Sequence, residues 1–133
     1  MIVVDANVLA RMLISSEDQP IEARVFALDP RWLAPPILRS EFRNVLATSV
    51  RREKFGIDEA IAFMEQADRI LQKNEYRVSS IDVLSLAARS GCTAYDCEYV
   101  ALAMALEIPL VTRDREILAA FPDVAVSPED FVQ

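Results

Sequence analysis

Histidine is absent from all 133 residues, and that omission removes several chemistries at once. Neither a Ser-His-Asp triad nor a Cys-His pair can be built, and zinc held through imidazole is excluded as well. Glycine occurs only as Gly56 and Gly91, so there is no Walker phosphate loop and no dinucleotide fingerprint. The only cysteines, Cys92 and Cys97, supply neither a disulfide framework nor a zinc set, and read as small core residues. No apolar run approaches the roughly 20 residues that span a bilayer, so no membrane association is expected. The opening Met1-Ile2-Val3-Val4-Asp5 lacks the basic stretch of an export signal, and the expected compartment is the cytoplasm.

What is present is a globular composition. Apolar residues make up 53% of the chain, enough for a core at a length that suggests one domain over residues 1–133. The formal net charge is −7, from 14 basic and 21 acidic residues. Phosphate binding normally uses a basic surface, so this balance leaves two options. Either the acids are concentrated in a site that a cation neutralises, or the protein binds no nucleic acid.

Short β-branched runs alternate with helical periodicity. Ile2-Val3-Val4 reads as a buried strand, and Asp5-Ala6-Asn7 opens a helix carrying Val8, Leu9, Met12 and Leu13. Pro20 suits the first turn of a second helix with Ile21, Val25 and Leu28 on one face. Trp32-Leu33-Ala34 is a short strand stopped by Pro35-Pro36. A long helix runs from about Leu38 to Lys54, and Gly56 breaks it. Asp58 can cap the next helix, whose Ile61, Met64, Ala67 and Leu71 face inward. Tyr76-Arg77-Val78 is a brief strand; Ser79 or Ser80 caps a helix ending at Gly91, and Thr93 caps another to about Leu106. Ile108 to Thr112 is a strand, Asp114 to Ala120 a short helix, and Val124-Ala125-Val126 the last strand. Such alternation implies a parallel α/β sheet, in which ligands bind beyond the carboxyl ends of the strands.

Four carboxylates fall at suggestive points, each with a purely structural alternative. Asp5 follows the first strand, where it would also serve as a helix N-cap. Glu41 borders the stripe Leu38, Phe42, Val45 and Leu46, where a carboxylate needs a partner or a metal; pairing with Arg39 or Arg43 is its alternative. Asp96, three residues after Thr93, fits a capping box. Asp114 follows Val111-Thr112 and can cap a short helix. Together they shift the balance, because strand ends in a parallel sheet converge at one edge. Convergent carboxylates raise one another's pKa or recruit a cation, and oxygen ligands without His or Cys suit Mg²⁺ or Mn²⁺.

At these residues the sequence resembles the PIN-domain ribonucleases, and among them the VapC-type toxins of toxin–antitoxin pairs. The matching segments are Val3 to Leu9, Ser40 to Leu46, Thr93 to Ala103, and Leu110 to Asp114, in order along essentially the whole chain. The resemblance implies a three-layer α/β/α sandwich around a five-stranded parallel sheet. It implies that Asp5, Glu41, Asp96 and Asp114 are the catalytic, metal-site acids, with Asn7 and Thr112 as polar helpers orienting water or ligand. It also implies RNA cleavage by a metal-activated water leaving 5′-phosphate and 3′-hydroxyl ends, a homodimer, and a cognate antitoxin that obstructs the site. Glu98, two residues after Asp96, does not share its helix face and reads as peripheral; Asp82 reads as a capping-region charge. Arg11, Arg39, Arg43, Arg113 and Arg115 lie near the motif acids and are candidates for phosphate contacts. No residue announces base recognition.

Two other classes compete. A phosphotransfer or haloacid-dehalogenase-like phosphatase domain also uses strand-end aspartates with Mg²⁺. The phosphatase pattern needs a second Asp where Asn7 stands, and a receiver domain needs a late lysine where Arg113 stands. A non-catalytic interaction module of the same fold is the other alternative, against which an intact set of four acids argues.

Overall fold

The computed structural model describes all 133 residues. Its order is β1 (Ile2–Val4), α1 (Ala6–Ile14), α2 (Ile21–Leu28), β2 (Trp32–Leu33), α3 (Ile37–Arg51), α4 (Ile57–Leu71), α5 (Ser80–Ser90) and α6 (Ala94–Leu106). It ends with β3 (Leu110–Val111), α7 (Arg115–Ala120), β4 (Ala125–Val126) and α8 (Pro128–Phe131), the last of which the periodicity did not disclose. The strands form one parallel sheet in the order β2-β1-β3-β4. From β1 the chain moves outward to β2, then returns to the other side of β1 for β3. The topological switch point therefore lies between β1 and β3.

Every residue of β1, β2 and β3 is buried, as expected of short parallel strands covered by helices. Helix α1 packs against α2, α3 and α4, while α5 pairs with α6, which lies against β1 and β3. Cys97, Tyr99 and Val100 to Ala103 are all buried on α6. Both cysteines are free and buried, as their small-core reading anticipated.

The sheet has four strands rather than the expected five. Tyr76-Arg77-Val78 is not a strand; the segment before it makes a single parallel bridge, Glu75 to Ala34. Ala34 N–H donates to the Asn74 carbonyl and Tyr76 N–H donates to the Ala34 carbonyl. The next donor in that ladder would be residue 36, and Pro36 has no N–H, so pairing stops there.

Other local expectations shift by small amounts. Pro20 is the N-cap of α2 rather than its first-turn residue, and α4 is entered through Gly56, with Asp58 inside the first turn instead of capping it. Leu28, placed on one face with Ile21 and Val25, and Ile61, expected to face inward, are both exposed. Ser79 caps α5 through the Asp82 N–H, and Gly91 ends it in the left-handed conformation, φ 77°, that favours glycine.

One ion-pair network ties the sheet edge to the terminal helix. Glu22 on α2 is 2% exposed, and its carboxylate accepts from Arg113, just past β3. Arg113 also reaches Glu129 on α8 at 2.9 Å, and Arg11 stands 3.8 Å from Glu22. Removing one partner of a buried pair leaves a charge with nothing to replace its water. Arg113→Met should therefore destabilise the fold by about 2–4 kcal/mol in urea unfolding, Arg11 compensating only in part. A loss under about 0.5 kcal/mol, the usual range for a surface substitution, would show that the pair is solvated and structurally idle.

Candidate active site

The carboxyl ends of β1 and β3 open into a cleft of about 590 Å³ at the switch point. Asp5, Glu41, Asp96 and Asp114 all line it, so the four acids singled out in the sequence meet in one place. Asn7 lines it too, with its side chain exposed.

Each acid arrives by a different route. Asp5 caps α1: one carboxylate oxygen accepts from the Val8 N–H at 3.0 Å, and the other accepts from the Thr112 hydroxyl. Asp114 caps α7 through the Ile117 N–H at 3.0 Å, and its own N–H donates to the Thr112 hydroxyl oxygen at 3.0 Å. Asp96 lies in the first turn of α6, its N–H bonded to the capping Thr93 at 3.1 Å. Glu41 rises from α3 and accepts a hydrogen bond from the buried Tyr99 hydroxyl. The capping alternatives for Asp5 and Asp114 thus hold together with their place in the cleft. The pairing proposed for Glu41 does not, because Arg39 binds Glu75 and Asp68 and Arg43 enters no ion pair.

Thr112 departs from the role expected of it. It is fully buried and does not line the cleft; it holds Asp5 and the backbone of Asp114 in place instead of facing a ligand. Ser40, Asn44, Tyr95 and Tyr99 also line the cleft and were missed in the sequence. The signal for two of them was available: Asn44 is three residues after Glu41 and Tyr99 three after Asp96, so each shares a helix face with a motif acid. Glu98 lies outside the cleft lining, in keeping with its peripheral reading, although its charge reaches Glu41 and Tyr99.

Electrostatically the cleft is under load. Burial pushes the Asp5 carboxyl above its ordinary range; the Thr112 and Val8 hydrogen bonds oppose that, and the charges of Asp114 and Asp96 add to it. Burial likewise raises Glu41, against the Tyr99 hydrogen bond and with Asp96 and Asp5. Asp96 is raised by burial and then by Asp114. Burial and the Glu41 carboxylate together push the Tyr99 phenol far up, so it stays a donor. No lysine or arginine lines the cleft to relieve this charge.

That donor set fits a hard divalent cation: oxygen atoms only, excess negative charge, and no competing basic side chain. No group of three or more metal-ligating side chains is already gathered around one point. The cleft thus offers separate carboxylates, which suits an ion that keeps several waters and takes one or two carboxylates.

Of the five arginines near the motif acids, Arg39 and Arg113 are committed to carboxylates and Arg11 leans on Glu22. Arg43 and Arg115 are exposed and enter no ion pair.

The PIN-domain family model matches residues 2–125. Ribonuclease VapC3 of Pyrobaculum aerophilum is 29% identical over 124 residues, covering 91% of this chain and 95% of the relative. The crystal structure of PAE2754 from Pyrobaculum aerophilum superposes with a TM-score of 0.74 at 25% identity, covering 98% of this chain and 92% of that one. A toxin–antitoxin complex from Klebsiella pneumoniae contains a chain of the same fold, with a TM-score of 0.72 at 17% identity, covering 96% of this chain and 98% of that one.

Ionising carboxylates whose folded-state pKa values are raised opposes folding. That penalty is absent well below about pH 4, where the groups are protonated in both states; it grows as pH rises from there toward the raised folded values and is complete above them. Metal-free Asp96→Asn should accordingly be more stable than the parent at pH 7, by no more than about 1 kcal/mol because the side chain is only half-buried. Thermal melts across a pH series should show the gain closing on acidification; a gain independent of pH, or a loss at pH 7, would contradict the electrostatic account.

Proposed function

The chain belongs to the PIN-domain family, and on that premise we propose that it is a metal-dependent ribonuclease, the toxin of a toxin–antitoxin pair. The observation that carries this reading is the convergence of Asp5, Glu41, Asp96 and Asp114, from four separate elements, on one cleft at the switch point. These four would hold Mg²⁺ or Mn²⁺ among them, one or two directly and the others through waters the ion retains, with Asn7 as a neutral helper beside them. A divalent cation bound there would supply charge neutralisation at the scissile phosphate and would lower the pKa of an attacking water below that of bulk water.

The protein's own contribution is placement. Thr112 and the first turn of α1 leave Asp5 little freedom, and Tyr99 holds Glu41 toward the cleft. Oriented carboxylates lose less entropy on taking up an ion and aim the phosphate for in-line attack. Ile37 and Val45 on α3 supply an apolar wall. RNA, a cognate antitoxin that obstructs the cleft, and a second copy of the chain are the partners of this reading. No helix is long and apolar enough to cross a membrane.

The deciding experiment is cleavage of labelled single-stranded and structured RNA with Mg²⁺ or Mn²⁺ and with EDTA. Wild type is run beside Asp5→Asn, Glu41→Gln, Asp96→Asn and Asp114→Asn, each checked for folding. Metal-dependent cutting should fall at least about 100-fold in the Asp5 and Asp96 variants, the scale typical of losing a group that acts on the transition state. Cutting that persists in them would place the activity elsewhere. No cutting and no metal uptake by wild type would favour the non-catalytic module.

Arg43 and Arg115 are the arginines left to meet phosphates flanking the cleft. The Arg43→Gln/Arg115→Gln variant should bind single-stranded RNA more weakly and with a shallower salt dependence, by about 0.7 in log–log slope for each lost contact. An unchanged slope would remove both from the RNA path.

A further inference from the structure

We propose that Tyr95, together with Ser40 and Asn44, forms a subsite beside the acidic centre that takes one unpaired nucleobase of the RNA. The inference rests on the ribonuclease reading and adds to it the residues that receive a base next to the acidic centre.

The argument begins with charge. Four carboxylates line the cleft and no lysine or arginine does, so nothing in the lining attracts a phosphate backbone electrostatically. Apart from the cation of the proposed reading, affinity close to the centre then comes from contacts that carry no charge. Two kinds are available to a nucleotide, stacking on an aromatic face and hydrogen bonds to base edges.

Both are present. Tyr95 lines the cleft and is 64% exposed. Exposed apolar side chains are common, and Ile57, Ile61, Ile81 and Leu84 are also largely exposed here, but they are aliphatic and none of them lines the cleft. Tyr95 differs in having a flat ring at the cleft itself. The other cleft tyrosine, Tyr99, is 1% exposed and committed to Glu41, so it offers no free face. Ser40 and Asn44, four residues apart on α3, share a helix face, and both are exposed in the same cleft. A hydroxyl and a primary amide there can each donate and accept, which suits the edge of a base whose Watson–Crick partner is absent. Tyr95 immediately precedes Asp96, so a base seated on the ring brings its own sugar and phosphate to the carboxylates. A base inside a duplex has both faces stacked and its edge paired, and cannot enter.

The test uses a mixed-sequence single-stranded RNA 20-mer with its cut site mapped, and the same RNA carrying an abasic nucleotide at each position flanking the cut. Wild type, Tyr95→Phe and Tyr95→Ala are compared by kcat and KM. On intact RNA, Tyr95→Ala should raise KM roughly 5- to 150-fold with kcat little changed, the range expected for losing one stacked base, whereas Tyr95→Phe keeps the ring and stays near wild type. One abasic position should cost wild type a similar factor and cost Tyr95→Ala nothing further. If Tyr95→Ala leaves KM unchanged, or if its loss and the abasic loss simply add at every position, the subsite is overturned while the nuclease stands. If wild type cuts no RNA, the nuclease reading falls and takes the subsite with it.

Discussion

The parallel register of β1 against β3, with Val3 opposite Leu110 and Val4 opposite Val111, brings two strands to the sheet edge in step. Asp5 and Thr112 are the next residues on each, so they emerge as neighbours and their side chains bond directly. Thr112 then accepts from the Asp114 backbone, which fixes where α7 begins. A slip of one residue would draw Asp5 or Thr112 into the wholly buried run of the sheet, where a polar group without a partner is costly. The site therefore inherits its precision from the core: Val3, Val4, Leu110 and Val111 are wholly buried, and Asp5 and Thr112 are the first polar residues beyond them.

Capping and candidate chemistry draw on the same atoms. Asp5 and Asp114 satisfy backbone donors at helix starts, an interaction typically worth about 0.5–2 kcal/mol each. Burial and mutual repulsion act the other way on Asp5, and its raised pKa shows that they outweigh its hydrogen bonds. Helix N-termini are where negative charge is least costly, which is why three of the four acids can be gathered there. Glu41 lies within a helix and depends instead on Tyr99.

Positive charge is spent on architecture. Arg39 joins α3 to Asp68 on α4 and to Glu75 beyond it, and Arg113 joins the end of β3 to α2 and α8. The cleft is left without a basic side chain, and this makes sense of a net charge of −7 in a ribonuclease. On the proposed reading, charge near the scissile phosphate would be balanced by an ion, and grip on the substrate would fall to uncharged surface and to arginines outside the lining.

Much of this was legible in the chain itself. The strands Ile2–Val4 and Trp32–Leu33, the caps Asp5, Ser79, Thr93 and Asp114, the stop at Gly91, the three aspartates at element ends and Glu41 at the border of an apolar stripe all follow from local periodicity and capping chemistry. These are interactions among residues a few positions apart, where side-chain type and spacing carry the information. Only the tertiary structure decided the order β2-β1-β3-β4, the partners of Arg39 and Arg113, the burial of Thr112, the open face of Tyr95 and the bond from Tyr99 to Glu41. That last pair is separated by 58 residues, and Thr112 from Asp5 by 107. No spacing rule spans such distances, because which segments meet is set by how the whole core closes. Even the missing fifth strand follows this division: Pro36 was visible in the sequence, but that its absent N–H would fall on the Asn74 to Tyr76 ladder became apparent only when the two segments lay side by side.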